Sequence, residues 1–143
     1  MCGNWAGWVR KMPFSSVISP ERRLVITTGT GVLTGDEGLA CCTELRDRPG
    51  FDPSFNQLLD LTAATRFDAT REQIKLMAQV PLFAASSRRA IVTAEAGVFG
   101  LARMFEAYRS LSGMGEQVMV FREMKLALEW LAEEDKIVAA RPG

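Results

Sequence analysis

The sequence predicts an α/β protein: a single mixed sheet of about five strands, the first antiparallel to its neighbour, with four helices. Three observations carry that reading. Apolar and β-branched runs alternate with helical apolar stripes, the pattern of parallel strands joined by right-handed crossovers. The run Leu58-Leu-Asp-Leu61 is apolar on both faces apart from Asp60, as suits a central strand covered on both sides. The first two strand candidates are separated only by Ser19-Pro20-Glu21-Arg22, a turn whose proline presets φ, so they form a hairpin.

Each element follows in order. Phe14–Ser19 and Leu24–Thr28 are the hairpin strands, and Gly29 and Gly31 loosen the exit of the second. Thr34-Gly-Asp-Glu37 is a capping box. The helix behind it carries Cys41, Cys42 and Leu45 on one face and ends near Arg48, because Pro49 disfavours helix just before it. Phe51-Asp-Pro-Ser-Phe55 is a turn with two aromatic anchors. From the central strand Leu58–Leu61 a short crossing loop leads to Thr70-Arg-Glu-Gln73, a second capping box. Ile74, Met77, Val80 and Phe83 then fall at helical spacing, with Pro81 imposing a kink or an early end. Ala90–Ala94 is the fourth strand. Val98–Leu111 is the third helix, with Val98, Leu101, Ala102, Phe105 and Tyr108 as its core stripe. Met104, Ala107 and Leu111 widen that apolar arc, while Arg103, Glu106 and Ser110 form a polar face on which Phe99 also lies. Gln117–Phe121 is the last strand, and Met124, Ala127, Leu128 and Leu131 give the final helix its stripe. The domain spans 14–132, between an N-terminal extension (1–13, with Trp5 and Trp8) and a frayed tail (133–143).

Composition narrows the function classes. The 143 residues fit one domain, and Lys plus Arg equals Asp plus Glu at 17 each, which gives no field to hold nucleic acid. Arg22-Arg23 and Arg88-Arg89 are basic only locally and read as solvated strand entrances. Histidine is absent, so the commonest general base and metal ligand is missing, and no Ser-His-Asp or Cys-His site can be built from this chain alone. Cys2, Cys41 and Cys42 show no Cys-x-x-Cys spacing and read as reduced thiols of a cytoplasmic protein. No apolar run approaches the roughly 18 residues of a transmembrane helix. No cofactor, metal or stable membrane insertion is expected.

The motifs each have a plain structural reading. Gly29-Thr-Gly31-Val-Leu-Thr-Gly35 misses the dinucleotide-binding spacing by one residue. Asp60 reads as a structural hydrogen-bonding residue, or as a ligand contact at the strand's carboxyl end. Thr70 is the natural N-cap of its helix; a phosphate there would face unsatisfied N–H groups and the positive end of the dipole. Phe99 either tucks under the preceding loop or completes an exposed apolar patch beside Met104, Ala107 and Leu111.

Leu58-Leu-Asp-Leu-Thr62 followed by Phe67-Asp-Ala-Thr70 resembles the central strand and switch loop of SpoIIAA-like, or STAS, domains. Phe51-Asp-Pro-Ser-Phe55 and Val98-Phe-Gly-Leu-Ala-Arg-Met-Phe-Glu106 are similar to an uncharacterised bacterial branch of that superfamily, grouped with CRAL-TRIO lipid-transfer folds. The resemblance covers about Phe14 to Ala132. It implies a β-α superhelix of SpoIIAA-like type. In STAS anti-sigma antagonists a serine directly after the loop aspartate is phosphorylated; here that position is Ala69, so the usual serine switch is not expected. Thr70 remains the candidate phosphoacceptor.

The expected function is a non-enzymatic regulatory module that docks an unidentified protein partner through Asp68, Thr70, Arg71, Phe99 and Arg103. The alternative is a binder of a small apolar ligand or lipid. Self-association through Met104 and Leu111 is compatible with both.

Overall fold

The computed structural model describes residues 13–113 and 115–140, with side chains through residue 133. Trp5, Trp8 and the other residues of the N-terminal extension up to residue 12 lie outside the described residues. The strands are β1 (Phe14–Ser19), β2 (Leu24–Thr34), β3 (Asn56–Asp68), β4 (Arg88–Val92) and β5 (Gln117–Phe121). The helices are α1 (Gly35–Arg46), α2 (Arg71–Gln79), α3 (Ala96–Ser112) and α4 (Met124–Ala140). The sheet order is β1-β2-β3-β4-β5; β1 is antiparallel to β2 and the remaining pairs are parallel. Because the parallel strands advance in one direction, crossovers of one hand put their helices on one face. That face carries α1, α2 and α3, which pack Leu45, Ile74, Met77, Val98 and Ala102 inward. On the opposite face α4 covers Leu58, Ala90 and Val92 with Ala127 and Leu131.

β1 and β5 have the bounds read from the sequence. Both capping boxes form: the Thr34 hydroxyl accepts from the Glu37 backbone and the Thr70 hydroxyl from the Gln73 backbone, each with the reciprocal side-chain bond. Helix α2 stops at Gln79, before Pro81, so Phe83 reaches the core from a loop rather than from the helical stripe. The turn at Phe51–Phe55 is anchored as expected, with Phe51 edge-on to Phe83 and Phe55 buried. Helix α4 continues to Ala140, past the point where the sequence suggests a frayed tail.

The largest correction concerns the loop expected after Leu61. It is strand: β3 runs on to Asp68, and β2 runs with it to Thr34. Opposite Thr28–Thr34, β3 spends two more residues, with register shifts between Thr28 and Thr30 and between Gly31 and Val32. These irregularities bring Leu61, Ala64 and Phe67 inward at a spacing of three residues instead of two. Gly31 takes a left-handed φ of 70° there, so the glycines shape the strand instead of ending it.

Candidate functional site

The helical layer does not close fully against the sheet. Between them lies a cavity of about 70 Å³. Its sheet wall is Leu59, Leu61 and Ile91, and its helical wall includes Cys41, Met77 and Phe105. Strand alternation puts Arg89 and Ile91 on this face of β4 and Ala90 and Val92 on the other. The same alternation directs Arg88 to α4, where it stacks on Trp130 at 4.8 Å and donates to the Trp130 carbonyl. Arg89, expected as part of a solvated strand entrance, is only 5% exposed. It is the one charged side chain among the lining residues.

A buried polar network holds that guanidinium. Arg89 Nε donates to Gln57 Oε1 (3.0 Å) and Nη1 to Glu116 Oε2 (2.9 Å). The Phe83 and Phe105 rings flank it at 4.7 and 5.2 Å. Gln57 Nε2 in turn donates to Thr27 Oγ1 (3.0 Å), which shares a hydrogen bond with the Ser16 hydroxyl. The other oxygen of Glu116 accepts from Arg109 Nη2, and Arg109 Nη1 donates to the Ala78 carbonyl at 2.5 Å, in the last turn of α2. Thus one enclosed carboxylate serves two buried guanidiniums. Sequence reasoning read Arg89 only as part of a strand entrance and did not single out Arg109, Glu116 or Gln57.

Cys41 and Cys42 sit on the cavity's α1 side and are free. Burial pushes the Cys41 thiol up to about 12 and raises Cys42 as well, with the charge of Arg89 opposing both shifts. They are neutral thiols at physiological pH, not nucleophiles. Among the described residues no cluster of acidic or cysteine side chains could hold a metal ion.

The sequence-derived docking residues lie elsewhere. Asp68, Thr70 and Arg71 are exposed together where α2 begins. Arg66 donates to Asp68 from Nε (2.6 Å) and Nη2 (2.9 Å) and holds its carboxyl below the usual range. The Thr70 hydroxyl is occupied as the cap. Gln73 Nε2 also donates to Asp36 at 3.0 Å, which sets the starts of α1 and α2 side by side. Asp60 accepts from the Thr62 backbone and hydroxyl, a structural role. Phe99 is half-buried with Arg122 over its ring at 3.9 Å, and Arg103 pairs with Glu106 at 2.9 Å. Phe99 is about 140° round α3 from Met104, so it does not join the Met104–Leu111 face. On that face Met104 is half-buried and Leu111 is 83% exposed.

No protein-family model matches this sequence, and no curated protein matches it. Among solved structures the chain is similar to an uncharacterised protein of the DUF3478 family, with a SpoIIAA-like fold, from Shewanella loihica PV-4. The two are 19% identical and superpose with a TM-score of 0.51, over 82% of this chain and 91% of that one. With the mixed five-stranded sheet and its helical layers, that likeness gives this chain the SpoIIAA-like fold.

Proposed function

We propose that this protein is a non-enzymatic binder of a small apolar molecule, held in the cavity between the sheet and the α1–α3 layer. The observation that carries this reading is the cavity itself: about 70 Å³, walled almost entirely by aliphatic, aromatic and thiol side chains. A water needs about 10–15 Å³ of such space and two or more polar partners, so the volume suits several ligand atoms better than it suits water. Apolar pockets with a few fixed polar groups are the usual form of small-molecule sites. Native mass spectrometry of protein purified without extraction steps tests it. Retained mass above the chain's own 15.8 kDa supports the reading. A bare chain that also takes up no added hexanol, by calorimetric titration, refutes it.

A second reading is a STAS-like docking module working in the cytoplasm. It is supported by the SpoIIAA-like fold and by the exposed α2 start, where Asp68, Thr70 and Arg71 are presented on a doubly capped frame. A partner captured by the wild type and lost with Asp68→Lys supports it; a partner that binds both equally removes this surface from consideration.

A further inference from the structure

We infer that the ligand is an anionic amphiphile, a carboxylate on a short apolar chain, whose head is held at Arg89 and whose chain fills the cavity. This rests on the apolar-binder reading and adds the charge and size of the ligand. Three observations carry it.

The first is a charge count. Arg89 and Arg109 share Glu116, so among the described residues the hydrogen-bonded network joins two guanidiniums to one carboxylate. Arg109 also takes the Ala78 carbonyl in the last turn of α2, whose dipole carries about half a negative charge at that end. Arg109 thus has an acceptor beyond Glu116, whereas the acceptors of Arg89 among the described residues are Glu116 and the neutral Gln57 amide.

The second is position. Arg89 lines the cavity, whereas Arg109 and Glu116 do not. Its Nε and Nη1 are engaged by Gln57 and Glu116, which leaves Nη2 without a hydrogen-bond acceptor among the described residues. A ligand oxygen at Nη2 would gain a charge-assisted hydrogen bond in a place where water competes poorly. The aromatic rings on either side fix the guanidinium plane before any ligand arrives, so little ordering is left to do on binding.

The third is size. At about 10–15 Å³ per water-sized group, the cavity takes about five to seven such groups. That fits a short chain of a few carbons with its carboxylate against Arg89, and leaves no room for a two-chain lipid.

The test is calorimetric titration of the full chain at neutral pH with hexanoate, hexanol and hexylammonium, which share a chain and differ in charge. The inference predicts that hexanoate binds at least about tenfold more tightly than hexanol, the factor expected of one charge-assisted hydrogen bond, and that hexylammonium binds most weakly. Arg89→Met should bring the hexanoate-to-hexanol ratio towards one. Gln57→Glu, nearly isosteric, supplies the missing carboxylate from the protein and should collapse the same ratio, so it decides the matter if Arg89→Met does not fold. Hexanol binding as tightly as hexanoate overturns the inference and leaves the apolar-binder reading standing. A preference for hexanoate that survives both variants overturns it too, by placing the anion away from Arg89. No binding of any of the three removes both readings.

Discussion

Glu116→Gln is the perturbation that weighs the buried network most directly. In the wild type the Glu116 carboxylate is enclosed and accepts from Arg89 Nη1 and Arg109 Nη2. The amide keeps the shape and one acceptor, but it removes the carboxylate that both buried guanidiniums share. Removing one partner of a buried ion pair costs about 3–5 kcal/mol. Arg89→Met is the contrasting case. Glu116 then keeps Arg109, so the remainder is a neutral pair, and the main losses are the Gln57 hydrogen bond and two ring contacts. One hydrogen-bonded buried amide left short of a donor costs about 1–2 kcal/mol. With an m-value of about 2 kcal/mol per molar urea, Glu116→Gln should lower the unfolding midpoint by about 1.5–2.5 M and Arg89→Met by less than about 1 M. Urea titration followed by circular dichroism reads both. Equal shifts, or a larger shift for Arg89→Met, would refute the assignment of Glu116 as the carboxylate that serves both arginines.

Further predictions concern the helix starts and the thiols. At Gly35 an added Cβ would lie 2.2 Å from Gln73 Oε1 and 2.4 Å from its Cδ, so Gly35→Ala should expel the side chain that closes the α2 capping box. The expected loss is about 1–2 kcal/mol by thermal unfolding, and it should vanish in a Gln73→Ala background. Thr70→Ala should cost about 1 kcal/mol through the lost cap while Thr70→Ser restores most of it; no loss would show that the hydroxyl does not cap the helix. Cys41 should resist alkylation at pH 8 in the folded protein by more than about tenfold relative to urea-unfolded protein, measured with Cys2 and Cys42 replaced by alanine. Its linkage has a definite sign. The folded thiol keeps its proton while the unfolded one, with a value of 9.0, releases it, so the contribution is intact at neutral pH and falls as pH rises from 9.0 towards about 12.

The fold was largely legible because its signals are local. Hairpin strands around Pro20, the two capping boxes and the stop before Pro81 each rest on a few adjacent residues. The extension of β3 was not, because its irregular register sets Leu61, Ala64 and Phe67 at a spacing that belongs to neither strand nor helix. The site was less legible still. Arg88-Arg89 looks like any basic strand entrance, and only alternation across the sheet sends one to Trp130 and the other into the core. Glu116 and Arg109 come from different elements, and nothing in their neighbours marks them as buried. A cavity depends on the space left by many side chains together, which no single motif encodes.

The charge count at Arg89 makes one prediction whose sign is decisive even without a ligand. Placing a carboxylate in a protein interior costs several kcal/mol unless a counter-charge is already in position. Gln57 is 4% exposed, its Oε1 is 3.0 Å from Arg89 Nε, and its Nε2 is 3.0 Å from Thr27 Oγ1. With Gln57→Glu, the Arg89 contact becomes an ion pair, and the Thr27 hydroxyl turns from acceptor to donor while the Ser16 hydroxyl, 2.8 Å away, donates to Thr27 in its place. The hydrogen bonds that join residues 16, 27, 57 and 89 are all kept. If the network carries an uncompensated positive charge, the new carboxylate meets a guanidinium that lacks a full counter-ion. The variant should then be as stable as the wild type to within about 1 kcal/mol, or more stable. If Glu116 already balances both arginines with help from the α2 terminus and the aromatic faces, the same substitution adds a surplus buried anion and should cost about 3 kcal/mol or more. Urea midpoints separate these outcomes by about 1 M or more, and the second would leave no electrostatic vacancy for an anionic ligand to fill.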